Sequence, residues 1–387
     1  MKIAIFTDTY TPQVNGVAKT LERLTQFLNR HGIEFLVFTP QHIGEKPQRR
    51  HIETIRSIPL AIYPECRLAV PGPIFIKEKM RRFRPDLIHV ATPFNMGLVG
   101  KYYAKKMNLP LVGSYHTDFD AYLNYYKMDV FAPLLWNYLR WFHHSLLKTF
   151  VPSQETLIQL KQKGFHRLGI WSRGVDCEQF RPCGSRALRE RYGIRAPHVL
   201  CFAGRLAPEK AIDTLLATVA RVNAARADVH WIIAGDGPSA EEMKKAAPAN
   251  VTFTGYLSAA ELAELYSAAD AMVFPSPTET FGNVVLESMA CATPVVGAAS
   301  GGVKNIISDG STGVLCPPRD AAAFAAATLA LLADSQRRSA MARAARHYAL
   351  LQSWECIFDR LLGDYQAALA LWQWMRRRGQ QTKKRAV

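Results

Sequence analysis

The first forty residues constrain the fold most. Residues 2–7 (KIAIFT) form an apolar run of strand length, and the polar stretch DTYTPQVNGVAKT follows. Val17 to Asn29 then sets Val17, Leu21, Leu24 and Leu28 at helical spacing, Gly32 ends the run, and EFLVFTP is a second apolar strand. This strand–loop–helix–strand order is that of a doubly wound α/β sheet. The same order starts again near residue 199, where VLCFA runs into the loop GRLAPEK and a helix. With 387 residues and 49% apolar content, the chain is expected to hold two domains, each with its own core.

Between these two starts the alternation continues. Residues 40–75 are loop-rich with short strand candidates, and Ile74 to Phe83 reads as a helix with bases at 77, 79, 81, 82 and 84. PDLIHVATP is a strand, Phe94 to Met107 a helix, and LPLVGSYHTDF a strand whose carboxyl end carries His116, Thr117 and Asp118. Tyr122 to Phe150 mixes aromatics with bases. Such a stretch suits a membrane or acceptor surface, but Trp136 to Leu147 is expected to pack in the core with its bases snorkelling. Phe150 to Ser153 ends a strand, Gln154 to Lys163 is a helix, and residues 181–197 read as a linker. Residues 320–352 are expected to be helical, as is Ser353 to Met375, followed by a disordered basic tail.

The loops carry the chemistry. Phe274 to Pro294 reads FPSPTETFGNVVLESMACATP, a strand (Ala271 to Phe274), a Pro/Ser turn and a helix opening near Gly282. Glu279 falls in the loop at the strand's carboxyl end and Glu287 on the helix beyond, where open α/β sheets bind ligands and the first helical amides favour an anion. A carboxylate can accept from two neighbouring hydroxyls, which suits a sugar. Arg205 and Lys210 stand five apart after Gly204 in another strand-to-helix loop, and two fixed cations there can neutralise a pyrophosphate. Asn15-Gly16 precedes the first helix, and a glycine there lets a phosphate approach the backbone amides. The loop lacks G-x-G-x-x-G, which weakens a dinucleotide reading.

Taken singly, each of these features is common. Together, FPSPTETFGNVVLESMACATPVVG with its E-x7-E spacing, AGRLAPEKAID, SYHTDF, the NGV loop and G-V-D-x-x-x-F at Gly174, Val175, Asp176 and Phe180 resemble family 4 of the retaining nucleotide-sugar glycosyltransferases. The resemblance implies the GT-B fold: two Rossmann-like domains facing across a cleft, with the last helix crossing back onto the first. The implied boundaries are 1–182 plus a helix at about 354–375, then 196–353, then a tail at 376–387. It implies His116 beside the sugar's reactive carbon, Glu279 on the sugar hydroxyls, Glu287 on the ribose, and Arg205 with Lys210 on the departing diphosphate. Asn15, Gly16, Gly204, Gly235, Leu257, Phe281, Gly282, Asn283 and Val284 are the implied remaining donor contacts. The donor is a GDP-mannose or UDP-hexose, and the acceptor a hydroxyl on a membrane lipid or lipid-linked glycan. Neither metal nor other cofactor is expected, although Asp118-Phe119-Asp120 spells D-x-D just past His116.

Charge and cysteines narrow the setting. Residues 1–195 hold 29 Lys+Arg against 15 Asp+Glu, and residues 196–387 hold 19 against 17. A basic first half suits an anionic membrane, each base near such a surface being worth about 1 kcal/mol. Cys66, Cys177, Cys183, Cys201, Cys291, Cys316 and Cys356 are scattered without C-x-x-C, so a reducing compartment is expected. MKIAIF is cut short by Asp8 and is not expected to be a signal peptide, and no apolar window is long enough to span a bilayer. The expected setting is thus cytoplasmic, peripheral at the membrane's inner face. The rivals are an epimerase or hydrolase of the same fold, a non-catalytic sugar-nucleotide binder, and a basic nucleic-acid-binding protein. The last lacks any recognition motif, so no nucleic acid is expected as a partner.

Overall fold

The computed structural model describes residues 1–13, 15–41, 51–60, 63–70, 72–116, 132–279 and 281–385. The chain divides into two compact units, Met1–Ser172 with Ile357–Val387, and Arg173–Cys356. Residues 117–131, which include Thr117, Asp118 and residues 122–131 of the aromatic stretch, lie outside the described residues.

The first unit is built on β1 (Lys2–Phe6), β2 (Glu34–Pro40), β3 (Ile52–Ile55), the antiparallel pair β4 (Ser57–Leu60) and β5 (Tyr63–Ala69), β6 (Leu87–Val90), β7 (Leu111–Ser114), β8 (Lys148–Val151) and β9 (Leu168–Ile170). Seven of these form one parallel sheet in the order β3-β2-β1-β6-β7-β8-β9. Helices cover both faces of such a sheet, so its strands read as unbroken apolar runs; Ile3, Ala4, Ile5 and Phe6 are completely buried. Phe6 stacks on Phe38 at 4.7 Å between ring centroids.

The last helix, Trp354–Arg385, belongs to this unit from Ile357 onward. It is held by packing and by polar ties. Phe358 meets Phe27 at 5.3 Å and Trp171 at 6.4 Å, and Lys148 pairs with Asp364 at 2.7 Å. Tyr365, also fully buried, meets Nδ1 of His89 at 2.5 Å. The helix runs to Arg385, so most of the basic tail continues it and is not disordered as its composition suggested. Arg and Lys are good helix formers, and an existing helix extends more easily than a new one nucleates.

Trp136, Leu139, Phe142 and His143 of the helix Ala132–His144 are buried, as expected of a core segment, while Trp141 stays 57% exposed with Lys101 Nζ 3.8 Å from its ring centroid.

The second unit holds β10 (His198–Ala203), β11 (Val229–Ala234), β12 (Val251–Gly255), β13 (Ala271–Phe274), β14 (Val295–Ala298) and β15 (Gly313–Cys316). All are parallel, in the order β12-β11-β10-β13-β14-β15. The domain boundary needs correction. Residues 173–195 pack with this unit, not with the first, and 181–197 is not a free linker. Val175, Phe180, Leu188 and Ile194 are apolar side chains that enter its core. Val175 N donates to Gln352 O at 3.0 Å, and the Arg346 guanidinium donates to Phe180 O at 2.9 Å and Cys177 O at 3.4 Å.

Candidate active site

An open parallel sheet binds ligands where its strand order reverses, because the loops on either side of that point diverge. In the second unit the reversal lies between β10 and β13. The loops leaving these two strands are Gly204–Ala211 and Pro275–Gly282, and they hold most of the residues singled out from sequence.

Lys210 and Glu279 meet across the reversal. The Lys210 ammonium donates to Oε1 of Glu279, and their side chains are 19% and 18% exposed. Ser276, fully buried, donates its hydroxyl to the same oxygen at 3.3 Å. A second tie runs from the Thr278 hydroxyl to Glu209 O at 3.0 Å. The loop after β14 closes the third side: Gly302 N donates to Glu279 O at 2.6 Å, and Ser300 Oγ to Pro277 O at 2.8 Å. A Cβ on Gly301 would stand 2.4 Å from Glu279 O, so only glycine lets that chain pass.

The remaining expected residues divide. Gly204 and Gly235 do touch, but they touch each other: with φ +129° at Gly235, a Cβ there would lie 1.9 Å from Gly204 O. Leu206 N donates to Asp236 O at 3.0 Å and Ser239 N to Leu206 O at 2.9 Å, which knits the loops after β10 and β11 backbone to backbone. Gly235 therefore serves loop packing. Arg205 is exposed and makes no ion pair among the described residues. Gly282 (φ +91°) is the left-handed cap of the helix Asn283–Ala290; Asn283 is exposed and Val284 half-buried, while Phe281 packs on the core. Leu257, half-buried, follows β12 and packs on the core from outside. Glu287 is half-buried on the helix, where its carboxylate faces Tyr266. Burial first, and then the Glu287 charge, raise the Tyr266 phenol well above its ordinary pKa.

In the first unit the reversal lies between β1 and β6. Asn15 caps the helix Gly16–Arg30 by accepting from Ala18 N at 2.9 Å, and its amide donates to Thr9 Oγ1 at 2.7 Å. Asp8, which composition did not single out, bridges this reversal. It accepts from the Thr92 hydroxyl at 2.6 Å and from Met96 N at 2.8 Å, at the start of the helix Asn95–Met107. Burial raises its pKa, and these donors oppose the shift. His116, just past β7, is half-buried with its ring edge-on to Trp171 at 5.0 Å. Its neighbour His89 is completely buried between Tyr365 and Ser114 Oγ (2.7 Å), and burial, with a smaller part from His116, pushes its pKa down to about 3.

Sequence reasoning missed Ser276, Thr278 and Asp8. Hydroxyls in a Pro-bracketed turn, and an Asp directly after a buried strand, are the available signals. Among the described residues no group of three or more His, Cys, Asp or Glu is placed to hold a metal ion, and no helix is long and apolar enough to cross a membrane.

Comparison with known proteins gives the family. Residues 14–179 match the family described as Glycosyltransferase Family 4, and residues 197–334 match Glycosyl transferases group 1. The chain is 33% identical to a GDP-mannose-dependent alpha-mannosyltransferase of Mycobacterium tuberculosis, over 95% of this chain and 97% of that one. It is 32% identical to an alpha-monoglucosyldiacylglycerol synthase of Streptococcus pneumoniae, over 81% and 75%. Its fold is similar to Anabaena HepE in complex with UDP, with TM-score 0.72, 20% identity and coverage of 95% and 100%. Two Rossmann-like parallel-sheet units of the GT-B class and these matches lead to one conclusion: the chain belongs to the family 4 glycosyltransferases and is a nucleotide-sugar-dependent glycosyltransferase.

Proposed function

We propose that the enzyme moves a hexose, with retention of anomeric configuration, from a nucleoside-diphosphate donor to a hydroxyl of a membrane lipid. The observation that carries this is the Lys210–Glu279 pair at the strand-order reversal of the second unit. It sets a cation for the diphosphate beside an acceptor for sugar hydroxyls. GDP-mannose is the favoured donor, since the relative at 33% identity is named for it, and a UDP-hexose is the alternative. A glycerolipid acceptor is favoured by the likeness to a glucosyldiacylglycerol synthase.

Arg205 and Lys210 stabilise the negative charge that develops on the leaving diphosphate, which lowers the barrier and not only the binding energy. The amides at Gly282, Asn283 and Val284 open a helix toward the anion. Glu279 accepts from the sugar and Glu287 from the ribose. From the first unit, the Asn15–Gly16 turn and His116 take the parts the family resemblance implies. The leaving phosphate takes the acceptor's proton, and no metal is needed.

Membrane attachment at the inner face of a cytoplasmic membrane is assigned to the helix Pro73–Phe83. Ile76 and Met80 root it in the core, Ile74 is 80% and Phe75 41% exposed with Lys79 Nζ 5.4 Å from the Phe75 ring, and Lys77, Arg81, Arg82 and Arg84 are exposed along the same segment. Incubation with GDP-mannose or UDP-glucose in EDTA, on vesicles containing diacylglycerol or phosphatidylinositol, tests the whole reading. An α-linked glycolipid formed from one donor, faster on anionic than on neutral vesicles, is expected. An inverted linkage, or turnover of donor equally fast without acceptor, contradicts it.

A further inference from the structure

We propose that Glu279 latches Lys210 so that the site distinguishes a nucleotide sugar from the bare nucleotide; this rests on the donor reading above. One carboxylate oxygen, Oε1, takes both the Lys210 ammonium and the Ser276 hydroxyl. Among the described residues none donates to Oε2. The backbone on both sides is fixed, by Gly302 N on Glu279 O (2.6 Å) and by the Thr278 hydroxyl on Glu209 O (3.0 Å). The carboxylate therefore stays in place when its lysine is drawn off.

Lysine is a compact point charge with donors only. A diphosphate carries more charge than one carboxylate and takes Lys210 from it. Glu279, four-fifths buried, then stands ion-unpaired beside an anion, which is costly. A donor that brings sugar hydroxyls with its diphosphate supplies new hydrogen bonds to Glu279 and removes that cost. A bare nucleoside diphosphate does not. Once the sugar has left, the Lys210–Glu279 pair re-forms and weakens the hold on the product nucleotide. Ser276 is a positioning residue in this scheme, since it keeps Oε1 aimed at the lysine.

Isothermal titration with GDP and with UDP tests the latch in the wild type, Glu279→Gln, Lys210→Gln and the double variant. For whichever diphosphate binds, Glu279→Gln should tighten binding about tenfold, and in the Lys210→Gln background the same change should add less than about twofold. A gain that persists undiminished without Lys210 is simple charge repulsion and overturns the latch, as does no gain at all. Binding of neither diphosphate to any variant overturns the donor reading itself and the latch with it. A second measurement is independent of variants: in wild-type crystals soaked with the bound diphosphate, Lys210 Nζ should leave Glu279 Oε1, and an intact pair beside the phosphates refutes the proposal.

Discussion

The two sheets reverse their strand order in the same way but bridge the reversal with different chemistry. In the first unit a buried carboxylate, Asp8, crosses from β1 to the Thr92 hydroxyl and the Met96 amide, and both of its oxygens are engaged by the protein itself. In the second a partly exposed ion pair, Lys210–Glu279, crosses from β10 to β13, and one carboxylate oxygen remains for a ligand. The fold supplies the same opening twice; burial makes the Asp8 bridge a structural tie, while the Lys210–Glu279 bridge stays partly exposed. Function follows from the site, not from the sheet that carries it.

This contrast can be broken in three ways. The largest effect is expected from acid. His89 and His143, both buried in the first unit, have their pKa values pushed down to about 3, by burial first. They remain neutral in the folded unit but take protons in the unfolded chain near pH 6.5. Their contribution is therefore full above that value and is lost as pH falls toward 3. From pH 8 to 5 the first unit should lose roughly 4 kcal/mol, about 1.4 kcal/mol per pH unit below 6.5 for each histidine. Hydrogen exchange at the two pH values checks it: equal losses in strands of both units would remove the asymmetry.

Next, Asp8→Ala leaves the Thr92 hydroxyl and the helix amides at Met96 and Gly97 without their acceptor. It should destabilise the first unit by about 3 kcal/mol, at the upper end for stranded buried groups, with GDP or UDP affinity unchanged within about twofold. A large loss of affinity with little loss of stability would move Asp8 from structure to site.

Lys210→Ala should behave in the opposite sense. Turnover falls about a hundredfold, roughly 2.7 kcal/mol of transition-state stabilisation, while the melting temperature falls less than in Asp8→Ala, because the pair is partly exposed. Near-normal turnover would show that this bridge, like the Asp8 bridge, is structural.

Much of this was legible in the sequence, for identifiable reasons. The strand Ala271–Phe274 and the helix cap at Ser258, whose capping box with Glu261 is complete, are local patterns, and the chain writes them locally. The loop glycines at Gly282 and Gly301 have positive φ, which residue type announces. Pairings across distance were hidden. Lys210 and Glu279 are 69 residues apart, and Asp8 and Met96 are 88 apart. Only the strand order brings these loops together, and no local period encodes it. The boundary near residue 173 was misread for the same reason. The segment looks polar and arginine-rich, yet Phe180 and Leu188 are buried and Arg346 pins it by carbonyls far away in sequence.

The central claim is that the loops at the carboxyl ends of β10 and β13 hold the donor. Hydrogen exchange of the wild-type enzyme with and without GDP-mannose or UDP-glucose tests it most directly. One of the two donors should slow exchange at Gly204–Lys210 and at Phe281–Val284 together. Protection confined to other segments, under conditions where the donor is bound, would contradict it.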